Sequence, residues 1–288
     1  MLRAASAGLS PRPAEMSTMT AYIFLSLLGG GILGALACSR LDLMAWKFVR
    51  IASILASAVL IFVTVVYVLR PPPSLLEGSS AVLNVLRGGF IAASLCAIIL
   101  LCMAPLVERT SRALRGVAAL GSVVAVASIS TSQWVEGSWS RGSVAVGISL
   151  IAANVLAAGL LGTVTLAWLL GHAYLTATTM TVAPLRQLSR FFAWAAAARL
   201  LFFGASVAGA YLLAGDRVAV HFAGAWLVLF VRCVAGLIAV AVFSYMVGEC
   251  VKLRNTQAAT GLLYFASLLA YMGELSAQYL MSEWHWPM

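Results

Sequence analysis

The stretch AWLVLFVRCVAGLIAVAVF, residues 225–243, is an almost unbroken apolar run that carries one full positive charge, Arg232, near its middle. Stretches of about twenty apolar residues cross a bilayer as helices. An arginine at the centre of such a helix costs roughly 2.5–3.5 kcal/mol on insertion scales, so it needs a partner.

The same pattern recurs outward from this run. The 288 residues are 62% hydrophobic and 9% charged, with a mean hydropathy of +1.01. Soluble domains are about a quarter charged, so the chain reads as an all-α, polytopic integral membrane protein. Eight spans are expected, at 20–38, 48–69, 88–107, 115–135, 144–171, 191–214, 222–247 and 258–281. They form two sets of four, over 20–135 and 144–281, between a disordered tail at 1–19 and a short tail at 282–288. The longest connection, RPPPSLLEGSSAVLNVLRGG (70–89), opens with three prolines, as a loop does. The first twenty residues hold arginines but no apolar core, which predicts an uncleaved first helix, with Met16 and Met19 as alternative starts.

A net charge of +9 would suggest nucleic acid in a soluble protein. Here the basic residues sort by loop, which makes membrane topology their explanation and leaves no nucleic-acid partner. Arg40, Lys47, Arg50, Arg109, Arg112, Arg115, Arg186, Arg190, Lys252 and Arg254 fall on one side, against Arg3, Arg12, Arg70, Arg87, Arg141 and Arg217 on the other. Ten against six places loops 39–47, 108–114, 172–190 and 248–257 in the cytoplasm and both termini outside, in a bacterial-type inner membrane or its equivalent. The five cysteines form no Cys-x-x-Cys pair, so neither a disulfide framework nor a thiolate metal site is expected.

The halves differ in chemistry. Spans 1–4 hold no acid or histidine at membrane depth, and Gly30-x-x-x-Gly34 in the first permits close helix packing. Spans 5–8 hold Asn154, Arg199, Arg232 and Glu274, with His172, Tyr174 and Glu249 at the cytoplasmic ends. Depth counted from span centres puts Arg232 and Glu274 at one level on antiparallel neighbours, which predicts an ion pair. The pair reads either as a structural clamp or as one wall of a polar pocket. Tyr271, Glu274 and Gln278 share a helix face at i, i+3/i+4 spacing. Asn154, Gln133 and Trp134 reach a similar level. Arg199 lies deeper, with no acid at its level, so it snorkels, bonds backbone carbonyls or binds a ligand. His172, Tyr174 and Glu249 read as interfacial residues or as a proton relay.

Haem is disfavoured: His172 falls on the cytoplasmic side and His221 and His285 on the outer side, across roughly thirty ångströms of hydrocarbon. Neither His-x-x-x-His nor a His/carboxylate cluster suggests a metal, and no nucleophile–base pair marks a catalytic residue. The tryptophans at 134, 139, 168, 226, 284 and 286 read as an aromatic belt.

The ending LLYFASLLAYMGELSAQYL (262–280) resembles the last helix of membrane anchor subunits of the dimethyl sulfoxide reductase and polysulfide reductase type, which often close with Gly-Glu near an aromatic-Leu ending. Eight spans, length and outward termini are similar too. In that family the quinol pocket lies largely in the first four helices, where this chain has no buried acid or histidine, so no residue role carries over. The resemblance implies a haem-free subunit that exchanges electrons and protons with quinone for partner subunits holding the redox centres. The expected function is therefore a membrane subunit of an electron-transfer complex that binds quinone, quinol or lipid through Arg199, Arg232, Glu274, Tyr271, Gln278 and Asn154. The rivals are a small-solute or ion transporter, a structural scaffold subunit, and a lipid-modifying enzyme using His172. Transporters usually interrupt helices with Gly or Pro at matching repeat positions, whereas prolines here fall in loops except Pro105.

Overall fold

The computed structural model describes residues 13–69, 80–136, 144–176, 181–214, 224–284 and 286–288. The helices are α1 (Pro13–Cys38), α2 (Trp46–Leu69), α3 (Ser80–Met103), α4 (Val107–Glu136), α5 (Val144–Thr176), α6 (Ala183–Ala214), α7 (Trp226–Lys252) and α8 (Thr256–Trp284). Among the described residues no strand occurs. This is an all-helical membrane protein.

Seven helical stretches are long and apolar enough to cross a membrane, where eight separate spans were expected. The third stretch, Val82–Trp134, runs through α3 and α4. The expected loop 108–114 is not a loop. Its polar residues continue in helix from Val107, with one non-helical residue, Thr110, and the chain breaks only at the 3-10 turn Ala104–Leu106, where Pro105 sits. Across that turn the two arms lie side by side. Gly89 faces Ser128, and Gly121 faces Cys96.

Other boundaries shift the same way, because polar helix ends project beyond the apolar runs that the sequence marks. Helix α1 starts at Pro13, inside the stretch expected as a tail. Helix α6 starts at Ala183 rather than 191, so the expected loop 172–190 shortens to the residues between Thr176 and Ala183. The C-terminal residues pack rather than trail away. Trp286 Nε1 donates to the Ser206 carbonyl and hydroxyl at 3.2 and 2.9 Å, and Met288 is buried.

Packing follows the logic of lipid rather than water. Large side chains such as Phe62, Val85, Val123, Ile148, Leu201 and Phe265 face outward. Ala52, Ala56, Ala93, Ala97, Ala118, Ala125, Ala153 and Ala157 are completely buried. With no water to drive helices together, association rests on close van der Waals contact between small residues. Hydroxyls inside the bundle bond the carbonyl four residues back, as Ser53 does to Val49 (2.8 Å), Ser130 to Val126 (2.7 Å) and Thr165 to Leu161 (2.6 Å).

Two contacts go further, to backbone against backbone. A Cβ on Gly162 would stand 1.9 Å from the Gly31 carbonyl oxygen, locking α1 to α5. A Cβ on Gly236 would stand 2.3 Å from the Gly273 Cα, locking α7 to α8. In the expected Gly30-x-x-x-Gly34 motif, Gly30 faces Ala125 and Gly34 faces Ser122 of α4, while the intervening Gly31 makes the tighter approach.

The α7–α8 register has a local origin. Helix α7 ends in a Schellman motif. Asn255 N donates to Cys250 O at 2.9 Å, Arg254 N donates to Val251 O at 3.2 Å, and Arg254 adopts φ 58°. Asn255 Oδ1 then caps the amide of Ala258 at 3.0 Å and starts α8. Gly236 lies eighteen residues before Arg254, and Gly273 eighteen residues after Asn255. The tight turn thus sets the two glycines opposite each other. Within α7 the segment Val231–Ala239, which includes Arg232 and Gly236, is wound as a π-helix. Such wide turns occur rarely and often at functional sites.

Candidate functional site: a buried Arg–Glu–Arg cluster and an amide chain

The expected Arg232–Glu274 pair forms, with Arg232 Nη1 2.9 Å from Glu274 Oε1. Arg199 joins it, against the expectation that no acid stands at its level. Its Nε donates to Oε1 at 3.0 Å and its Nη2 to Oε2 at 2.8 Å, a bidentate fork on the same carboxylate. Arg199 differs from the expected level because α6 extends eight residues further toward its N-terminus than the apolar run 191–214 indicates. That extension moves Arg199 to the middle of its helix, and its long side chain reaches the rest of the way.

All three side chains have no solvent or lipid exposure. The close α7–α8 approach also brings the Gly273 carbonyl within 3.2 Å of Arg232 Nη1. Each guanidinium lies 5.9 Å from an aromatic ring centre, Arg199 at Phe202 and Arg232 at Phe203. An aromatic face stabilises a cation held there. Even so, Arg199 Nη1, Arg232 Nε and Arg232 Nη2 are buried without an acceptor among the described residues.

A second polar group begins one turn along α8. Gln278 Oε1 accepts from Gln133 Nε2 at 3.1 Å. Gln133 Oε1 accepts from Asn154 Nδ2 at 2.6 Å, and Asn154 Nδ2 also donates to Ser130 Oγ at 2.9 Å. The result is a chain Ser130–Asn154–Gln133–Gln278 that crosses α4, α5 and α8. Asn154 and Gln278 are completely buried, yet Asn154 Oδ1 and Gln278 Nε2 have no partner among the described residues.

Ser130 lines a groove of about 450 Å³ between α4 and α5, together with Ala127, Thr131, Trp134, Gly147 and Leu150. Trp134 packs on Gly147, where a Cβ would come within 2.9 Å of the ring. The groove is mostly apolar, and Ser130 and Thr131 contribute its hydroxyls. Its volume falls within the usual range for small-molecule sites.

The remaining expected residues do not converge on this cluster. Tyr271 bonds Thr165 Oγ1 at 2.8 Å and meets Phe24 edge-on. His172 is exposed and its Nδ1 lies 2.9 Å from the Tyr264 hydroxyl. Tyr174 donates to the Thr181 carbonyl, and exposed Glu249 pairs with Lys252 at 2.6 Å. His172, Tyr174 and Glu249 each have a separate partner, and among the described residues no hydrogen bond links them to one another. His221 and His285, which the haem argument needs, lie outside the described residues. No group of three His, Cys, Asp or Glu able to hold a metal occurs among the described residues, and all five cysteines are free. Of the tryptophans expected in the aromatic belt, Trp134 packs on Gly147 and Trp286 bonds Ser206, while Trp139 is outside the described residues.

Sequence reasoning does not single out Ser130, Thr165, Tyr264 or Gly236, and Gly273 enters it only through the Gly-Glu ending. Ser130 had a legible signal, since Ser-x-x-Gln (130–133) places a hydroxyl and an amide on one helix face. Comparisons with models of protein families, with curated proteins and with solved structures find no match for this chain.

Proposed function

We propose that the chain is a membrane-embedded subunit that binds a quinone or quinol on behalf of a larger electron-transfer complex. One observation carries this reading. A hydrogen-bonded chain runs from Ser130, in the wall of the α4–α5 groove, to Gln278, one turn along α8 from Glu274, and leaves one buried acceptor, Asn154 Oδ1, and one buried donor, Gln278 Nε2, without partners among the described residues. A quinol hydroxyl can donate to an acceptor such as Asn154 Oδ1 and its oxygen can accept from a donor such as Ser130 Oγ at the groove, while an isoprenoid tail suits the apolar lining. The Gly-Glu ending of α8 supports the same role through its resemblance to quinol-interacting anchor subunits.

In this reading the stretch 82–134 is two spans joined at Ala104–Leu106. A 53-residue helix would extend about 80 Å, far beyond one bilayer. The chain then has eight spans in two sets of four, with the basic ends at Arg40, Arg186 and Arg254 in the cytoplasm. A cysteine placed at Asn255 should resist an impermeant thiol reagent in intact cells. Rapid labelling there inverts the topology.

The binding test is photolabelling of the purified protein with an azidoquinone, followed by peptide mapping. Labelling should fall on α4 and α5 near Ser130 and Leu150, fall with excess unlabelled quinone, and drop at least tenfold in Asn154→Leu. Labelling that excess quinone does not reduce refutes the site. Co-purification of redox proteins in mild detergent supports the complex, and a lone homo-oligomer refutes that part.

A further inference from the structure

We infer that the Arg199–Glu274–Arg232 cluster binds one negative charge from outside the chain, as a small inorganic anion or the phosphate of an anionic lipid. Two independent observations lead there. The first is charge. Two guanidiniums and one carboxylate, all fully buried, carry a surplus of one positive charge. Arginine does not shed its proton to escape burial, and an unpaired buried cation is among the costliest states a protein interior can hold. The other ion pairs among the described residues, Arg40–Asp42 and Lys252–Glu249, are exposed and elsewhere.

The second observation is hydrogen bonding. Glu274 already accepts from both arginines, at both its oxygens. Three guanidinium nitrogens, Arg199 Nη1, Arg232 Nε and Arg232 Nη2, still lack an acceptor among the described residues. A site with more buried donors than acceptors and more positive than negative charge is completed by an anion, which accepts several hydrogen bonds at once. The rings of Phe202 and Phe203 lie 5.9 Å from the guanidiniums but carry no negative charge to balance them. This inference concerns the charged cluster and does not depend on quinone in the groove.

The test uses the full chain in phosphatidylcholine nanodiscs with sodium gluconate at constant ionic strength. The thermal unfolding midpoint is followed while chloride, bromide or inorganic phosphate replaces gluconate, and again in nanodiscs containing phosphatidylglycerol. A bound anion raises the midpoint with the logarithm of its concentration. A rise with added salt identifies a free anion, and a rise on phosphatidylglycerol alone identifies a lipid phosphate. Arg232→Gln removes the surplus charge and should abolish the response, while Arg232→Lys keeps the charge and should retain it. Indifference of the unmodified protein to every anion and to phosphatidylglycerol overturns the inference, as does a full response in Arg232→Gln. If that variant fails to fold, the titrations of the unmodified protein decide alone. Azidoquinone labelling that persists in gluconate separates the two sites.

Discussion

The contacts Gly31–Gly162 and Gly236–Gly273 are alike in kind and different in consequence. Each brings two helix backbones together until a single added methyl would overlap the neighbouring main chain. Around Gly31 and Gly162 stand Leu27, Ile32, Ala158 and Leu161, all buried and apolar, with Thr163 beside them, and the contact packs α1 on α5 with no charged side chain next to it. Around Gly236 and Gly273 the neighbours are Arg232 and Glu274, and the contact delivers a backbone carbonyl and a carboxylate to one guanidinium. Close approach in lipid is thus a general means of holding helices. It becomes part of a site only where a charged side chain stands one turn away.

That contrast can be broken by substitution. Glu274→Gln has the largest expected effect, because it leaves two buried guanidiniums with no carboxylate. Removing one partner of a buried pair costs about 3–5 kcal/mol, and here one change unpairs two cations. The variant should fail to give a monodisperse peak on size exclusion after detergent extraction. A stable, monodisperse Glu274→Gln protein would mean that the cluster is wetter than its burial indicates.

The arginines should then rank unequally. Arg199→Gln breaks a two-bond fork and should destabilise by about 3–5 kcal/mol. Arg232→Gln leaves a balanced Arg199–Glu274 pair and should cost nearer 1.5–3 kcal/mol, the worth of a hydrogen bond to a charged group. Thermal unfolding of the two variants side by side checks the order, and the reverse order would put the main pairing back on Arg232.

Gly162→Ala and Gly236→Ala test whether the two contacts are equally tight. Overpacking costs typically about 1–3 kcal/mol, so both should lower the midpoint. Only Gly236→Ala should also alter anion dependence, since it alone moves the α7–α8 seam beside Arg232. Equal anion responses in the two would dissolve the distinction between them. The smallest effect belongs to Thr165→Val, which takes one partner from Tyr271 and should cost about 1 kcal/mol without touching the cluster.

Much of this was legible in the chain. Apolar runs of about twenty residues announce membrane helices because the hydrocarbon thickness fixes their length. A charge inside such a run announces a partner because lipid supplies none, and matching depth on adjacent hairpin arms pointed Arg232 at Glu274. The position of Arg199 was not legible. Its level depends on where α6 starts, and polar residues such as Arg186 and Gln187 look the same in a loop as on a projecting helix end. Nor does hydropathy distinguish a break of three residues at Ala104–Leu106 from the longer loop expected at 108–114.

The sequence by itself determined that this protein lives in a membrane, that the charges at membrane depth belong to α6–α8, and that Arg232 and Glu274 meet. Only the tertiary structure decided that one carboxylate serves two arginines and that Gln133 and Ser130 join Asn154 and Gln278. The reason is physical: span lengths and hairpin registers are local properties of the chain. Which side chains share one acceptor depends on how non-adjacent helices, α4 with α8 and α6 with α8, turn their faces toward each other.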